Sequence, residues 1–235
     1  MPRRQRVSTT GVVFHVLNRS AKRTRLFDGA ADYEAFERVL ISALDRDEVA
    51  LFAYCIMPNH WHFLLSPTED GGLSRFMHWL TTTHARRWQI CRNLEGQGAV
   101  YQGRFKAVAV SSDQHFLRVC RYVERNALRA SLVDRAEDWP WSSLCQSEND
   151  AHSRVKTAEW PVTRPDDWIS IVNAPQTEAE LESIRDAVRS SRPFGADEWT
   201  QAVAAQLGLP RRERARRQKP VMGSGVILEE PTRQE

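Results

Sequence analysis

The chain predicts an α+β fold, and three observations carry that prediction. Segments 11–17, 49–56, 60–65 and 104–110 are β-branched, apolar or alternating, as strands are. Between and after them, 28–46, 73–92 and 113–129 carry apolar residues at helical spacing. The resulting order, β-α-β-β-α-β-α, is the split β-α-β arrangement of the ferredoxin-like kind. It implies an antiparallel sheet with helices on one face and the other face left for a ligand, followed by a helical C-terminal extension.

Taken in order, Gly-Val-Val-Phe-His-Val-Leu at 11–17 reads as the first strand. Asp28 is placed to cap a helix ending near Arg46, with Tyr33, Phe36, Leu40 and Ala43 on one face. Segment 49–56 is apolar on both faces, which suits a strand covered on both sides. Met57-Pro58-Asn59 makes the turn into its hairpin partner. Asp70-Gly71-Gly72 breaks the chain before a long helix. Ser111, Ser112 or Asp113 then caps a helix expected to run to Arg129.

These elements make a first unit, 1–145. Residues 146–176, with Pro161, Pro165 and Pro175, read as a connector. Thr177-Glu178-Ala179-Glu180 has capping-box spacing and opens a helical and basic extension, 177–220. Residues 221–235 are expected to form a disordered tail.

Composition narrows the class. The 235 residues are 41% hydrophobic and 27% charged, and no apolar run is long enough to cross a bilayer. Residues 1–6 lack the apolar stretch of a secretory signal, so a cytoplasmic location is expected, with no membrane partner. The four cysteines have no Cys-x-x-Cys spacing and read as buried thiols in a reducing compartment. The net charge is only +3, but basic residues crowd 1–27 and 211–219, the footprint of a polyanion partner. Solvated surface charge is the alternative.

The chemistry centres on His60-Trp61-His62. Strand side chains alternate, so His60 and His62 share a face while Trp61, Phe63 and Leu65 enter a core. Their roots lie about 7 Å apart, close enough to converge on one metal ion. On the helix from Asp113, His115, Tyr122 and Arg129 recur every seven residues and Asn126 follows Tyr122 by one turn. A phenol, with a pKa of about 10, attacks only an activated target or when a neighbour takes its proton. A divalent ion on His60 and His62, completed by the hard oxygen of Asn126, activates a phosphodiester. Attack by Tyr122 would then conserve the bond energy in a phosphotyrosine link.

Each element has a plainer reading. A His-x-His pair can be a satisfied pair, a helical tyrosine can be structural, and Asn126 can cap a helix end. His15 and His84 read as structural or phosphate-contacting. Trp79, Trp88 and Tyr101, beside Arg86, Arg87 and Arg104, either stack bases or fill the core.

Four segments in order, at suitable spacing over about 10–145, resemble one family. They are Ala53-Tyr54-Cys55-Ile56-Met57-Pro58-Asn59-His60-Trp61-His62-Phe63-Leu64-Leu65, Val100-Tyr101-Gln102-Gly103-Arg104-Phe105-Lys106, Arg121 to Ala130 around Tyr122, and Asp138-Trp139-Pro140-Trp141-Ser142-Ser143. The resemblance is to REP-associated tyrosine transposases, of the single-tyrosine His-hydrophobic-His superfamily. It implies a ferredoxin-like domain that binds single-stranded or hairpin DNA with palindromic repeats. It further implies Tyr122 as the nucleophile that stays on the 5′ phosphate, and His60, His62 and Asn126 as ligands of Mg2+ or Mn2+. Ala127 stands where many relatives have proline, and the closing basic box is blurred into residues 211–220. Phosphate contacts are expected from Arg4, Arg19, Arg23, Arg86, Arg87, Arg104, Arg129, Arg211 and Arg212. Monomer and homodimer both stay open. So do two other functions: a phosphodiesterase using activated water, and a DNA-binding regulator without catalysis.

Overall fold

In the computed structural model, which describes residues 9–145 and 155–210, four strands form one antiparallel sheet in the order β2-β3-β1-β4. The strands are β1 (Val13–Arg19), β2 (Val49–Met57), β3 (His60–Pro67) and β4 (Lys106–Val110). Helix α1 (Ala30–Arg46) joins β1 to β2, and α2 (Gly72–Cys91) joins β3 to β4, completing the predicted split β-α-β order.

Helices cover both faces of the sheet, in contrast to the single covered face expected. Phe14, Val16, Tyr54, Ile56, Trp61, Phe63 and Leu65 pack with Phe36, Leu40, Phe76 and Leu80 of α1 and α2. The opposite face, with Val13, Ala53, Cys55, Met57, Leu64 and Val110, is covered by Phe116, Val119, Cys120 and Val123. Those four belong to α3 (Gln114–Glu124). The two-sided apolar character of β2 is the sequence counterpart of this arrangement.

Several local expectations shift. The residue preceding α1 is Gly29, and Asp28 instead donates its backbone N–H to Asp32 Oδ2 (2.8 Å) while pairing with Arg25 and Arg92. Asp113 does cap α3, accepting from His115 N. The helix does not run unbroken to Arg129: it ends at Glu124 and resumes as α4 (Asn126–Arg129). At the break, the Arg125 guanidinium donates to the carbonyls of Val172 and Asn173. Those carbonyls end α5 (Trp168–Asn173), a helix inside the stretch read as a connector, with Trp168 and Val172 buried. The thiols also divide, since Cys55 and Cys120 are buried but Cys91 is exposed.

The extension continues with α6 (Glu178–Ser190), opened by the Thr177–Glu180 capping box as expected, and α7 (Asp197–Gln206). Both sheet edges are occupied by chain from outside the four strands. Along β4, Phe194 N–H donates to Ala109 O (2.7 Å) and Ser111 N–H to Phe194 O (3.0 Å). Gly195 permits this approach, because a Cβ there would lie 2.5 Å from Trp199 Cε3 and 2.8 Å from Ser111 Cβ. Along β2, Ile56 N–H donates to Trp141 O, Ser143 N–H to Tyr54 O and Ala158 N–H to Leu51 O. Residues 1–8, 146–154 and 211–235, including Arg4, Arg211, Arg212 and the expected disordered tail, lie outside the described residues.

Candidate active site

Strand register brings the histidines together. His60 pairs with Arg19 and Met57, and His62 with Leu17 and Cys55, so both project from the face that α3 covers. Their ring centroids are 5.1 Å apart. Trp61 and Phe63 enter the other core, as alternation requires.

A third imidazole joins them. His15, on β1, stacks on His62 with centroids 5.1 Å apart, and His15 Nε2 lies 2.9 Å from His62 Nδ1. Its local sequence gives no cue beyond being the polar residue on an apolar strand. The same alternation argument that singles out His60 and His62 also applies to it.

Tyr122 reaches this cluster from α3. Its ring meets His15 and His62 edge-on, with centroids at 5.8 and 5.9 Å. Tyr122 is only 9% exposed and packs within the second core rather than standing on an open face of the helix. His115, at the start of the predicted stripe, is elsewhere, bonded to Asp113 and packed on Phe194.

Arg129 closes the site. Its guanidinium lies 4.2 Å from the Tyr122 ring centroid, donates to Tyr122 O (3.3 Å) and is bonded to Asn126 Oδ1. The Asn126 amide nitrogen donates to Val123 O (3.2 Å). The structure therefore joins His60, His62, Tyr122 and Arg129, and holds Asn126 through Arg129 rather than against the imidazoles.

The electrostatics favour an anion. Burial, reinforced by Arg129, lowers the His15 pKa to about 3. Burial, with Arg19 and Arg129, lowers that of His60 to about 4. Burial also lowers His62, helped by His60, His15 and the two arginines. All three imidazoles are neutral at pH 7, the state in which imidazole ligates metals.

The histidine donors suit a divalent ion. Asn59 Nδ2 donates to Arg23 O (3.3 Å), which turns Asn59 Oδ1 towards His60 Nδ1 at 2.7 Å. His60 and His62 thus both have Nδ1 engaged, which fits metal binding through Nε2. Asn126 fits only once its oxygen leaves Arg129. Among the described residues, no group of three or more His, Cys, Asp or Glu forms a metal cluster.

The other expected contacts divide. Arg23, Arg86, Arg87 and Arg104 are exposed, and Arg19 is half-buried beside His60. Tyr101 is core, bonded to Trp61 Nε1 (3.2 Å) and His84 Nδ1 (2.7 Å), so it is not free to stack a base. Trp79 and Trp88 also pack against the core. No helix among the described residues is long and apolar enough to cross a membrane.

Paired strand histidines thus face a helical tyrosine on a sheet backed by helices. The profile of the IS200-like transposase family matches residues 8–126, and the chain belongs to that family. It is similar to a curated REP-associated tyrosine transposase from Haemophilus influenzae, with 26% identity over 124 residues. That match covers 49% of this chain and 64% of the relative, so it spans less than two thirds of that protein's length. Its fold resembles the solved structure of a REP-associated tyrosine transposase bound to a REP hairpin. That likeness has a TM-score of 0.51 at 17% identity, covering 70% of this chain and 94% of the other.

Proposed function

We propose that this chain cleaves and rejoins single-stranded or hairpin DNA carrying palindromic repeats, through a 5′-phosphotyrosine intermediate. The observation that carries this reading is the edge-on packing of Tyr122 against His62 and His15, beneath Arg129. Family membership and the likeness to a hairpin-bound relative support it.

Tyr122 Oη attacks phosphorus, forming the O–P bond as the bond from phosphorus to the 3′ oxygen breaks. The phenol loses its proton as attack proceeds, and the departing 3′ oxygen gains one. Arg129, close over the ring, favours the negative charge that develops on the phenol. Arg19 and Arg129, whose positive charge reaches His60 and His62, draw the phosphate in. Mg2+ or Mn2+ on His60 and His62, with Asn126 as a further oxygen donor, would supply Lewis-acid polarisation of the phosphoryl oxygen. Joining reverses the same chemistry and needs no energy source.

A labelled hairpin oligonucleotide, incubated with and without Mg2+, tests this. A covalent adduct that Tyr122→Phe abolishes, with hairpin affinity within about threefold of the parent, is the expected result. Cleavage that persists in that variant without an adduct points to a water-activating phosphodiesterase. Binding without cleavage in the parent chain points to a DNA-binding regulator.

A further inference from the structure

We propose that His15 and Asn59 are positioning residues that fix the proton of each candidate metal ligand on Nδ1, presenting both Nε2 lone pairs to the cation. The inference deepens the functional reading given above and rests on its placement of the ion at His60 and His62.

For His60 the assignment follows from a chain of donors. Asn59 Nδ2 donates to Arg23 O, which fixes the amide orientation and leaves Oδ1 as the atom facing His60 Nδ1. An oxygen accepts only, so His60 Nδ1 carries the proton. The Arg23 carbonyl sits where a short backbone turn puts it, since Lys22 and Arg23 both take a positive φ of 59°.

For His62, two directions of one bond are possible. His15 Nε2 and His62 Nδ1 are 2.9 Å apart in a buried setting, and one proton lies between them. If His15 donated, His62 would carry its own proton on Nε2. The cation that the functional reading places on Nε2 excludes a proton from that nitrogen. With His62 donating, the bond is made and Nε2 is bare. Partners of this kind, behind a ligating imidazole, set its tautomer and ring orientation. His15 is 1% exposed and its Nε2 lies 2.9 Å from His62 Nδ1, so it is well placed to hold His62 and does not itself face solvent.

The test uses the full chain. Long-range 1H–15N correlation of the imidazoles in metal-free protein reports which nitrogen is protonated. The expected spectrum has Nδ1–H at both His60 and His62. In His15→Leu, His62 should move towards Nε2–H, and His15→Gln, whose amide oxygen can accept, should return it. Mn2+ titration should show binding weakened roughly ten- to a hundredfold in His15→Leu and recovered in His15→Gln. Circular dichroism verifies the fold of each variant. An Nε2-protonated His62 in the parent chain overturns the proposal. So does a folded His15→Leu protein with parental Mn2+ affinity. Because the tautomer is read without metal or DNA, a parent chain that binds no Mn2+ removes the functional reading while the nitrogen spectrum still decides this one.

Discussion

The guanidinium of Arg129 lies 4.2 Å from the centroid of the Tyr122 ring, although a helix break separates the two residues. Arg125 keeps near-helical dihedrals at the break, so Arg129, seven residues on, still shares a face with the tyrosine. The same guanidinium engages Asn126 Oδ1, which couples the proposed nucleophile to the third candidate ligand.

Arg129→Ala should therefore separate two functions. Covalent adduct formation is expected to fall about a hundredfold, as when one stabilising donor is removed from a reacting centre. Mn2+ affinity should hold or rise, since a cation is lost beside the imidazoles and Asn126 is released. Adduct formation on a hairpin and a parallel Mn2+ titration measure the pair.

Glu124 gives a stability prediction with a definite sign. Burial raises its carboxyl pKa above the ordinary 4.5, against the opposing bonds from Trp168 Nε1 and Ser143 Oγ, each 2.7 Å long. The folded chain then holds the proton more tightly than the unfolded one. Its contribution is greatest below pH 4.5 and is lost as pH rises through the folded value. Glu124→Gln should flatten that decline and stay within about 1 kcal/mol of the parent in acid. Glu124→Ala, which strands the buried Trp168 Nε1–H and leaves Ser143 Oγ its 3.3 Å bond to Tyr54 O, should cost about 1–3 kcal/mol. Urea melts across pH measure both.

His84 titrates in the other direction. Burial, with Arg92 nearby, lowers its pKa to about 3 from 6.5. The unfolded chain takes up the proton first, so stability present above pH 6.5 falls as pH drops towards 3. One such site contributes about 1.4 kcal/mol per pH unit within that window. His84→Gln should lose about that much of the acid slope, read from the same melts.

Hairpin affinity should fall steeply with salt. Alanine at Arg23, Arg86, Arg87 or Arg104, one at a time, should reduce the log–log salt slope by roughly 0.7–0.9 wherever the arginine meets a phosphate. A residue whose removal leaves the slope unchanged makes no phosphate contact. Fluorescence anisotropy between low and moderate salt reads it.

The periodic parts of the chain were legible in advance. Apolar alternation located the strands, helical spacing located α1, α2 and α3, and Thr177 with Glu180 located α6. What escaped depended on partners distant in sequence. Arg125 is a good helix former, and only the carbonyls at the end of α5 explain why the helix stops there. The second covered face was implied by β2, yet a β-α-β count alone assigns it no helix. His60 and His62 stood out because they are two, whereas His15 is a single polar residue whose meaning appears only when β1 is laid beside β3. Tyr122 was found as a chemical candidate, but its burial came from the tertiary contact with both imidazoles.

The occupied margins of the sheet have a consequence for assembly. With Phe194 hydrogen-bonded along one border and Trp141, Ser143 and Ala158 along the other, part of each border's row of amides is already taken. A second copy adding its own strand at these positions would first peel away a segment that the chain has already committed to its own rim.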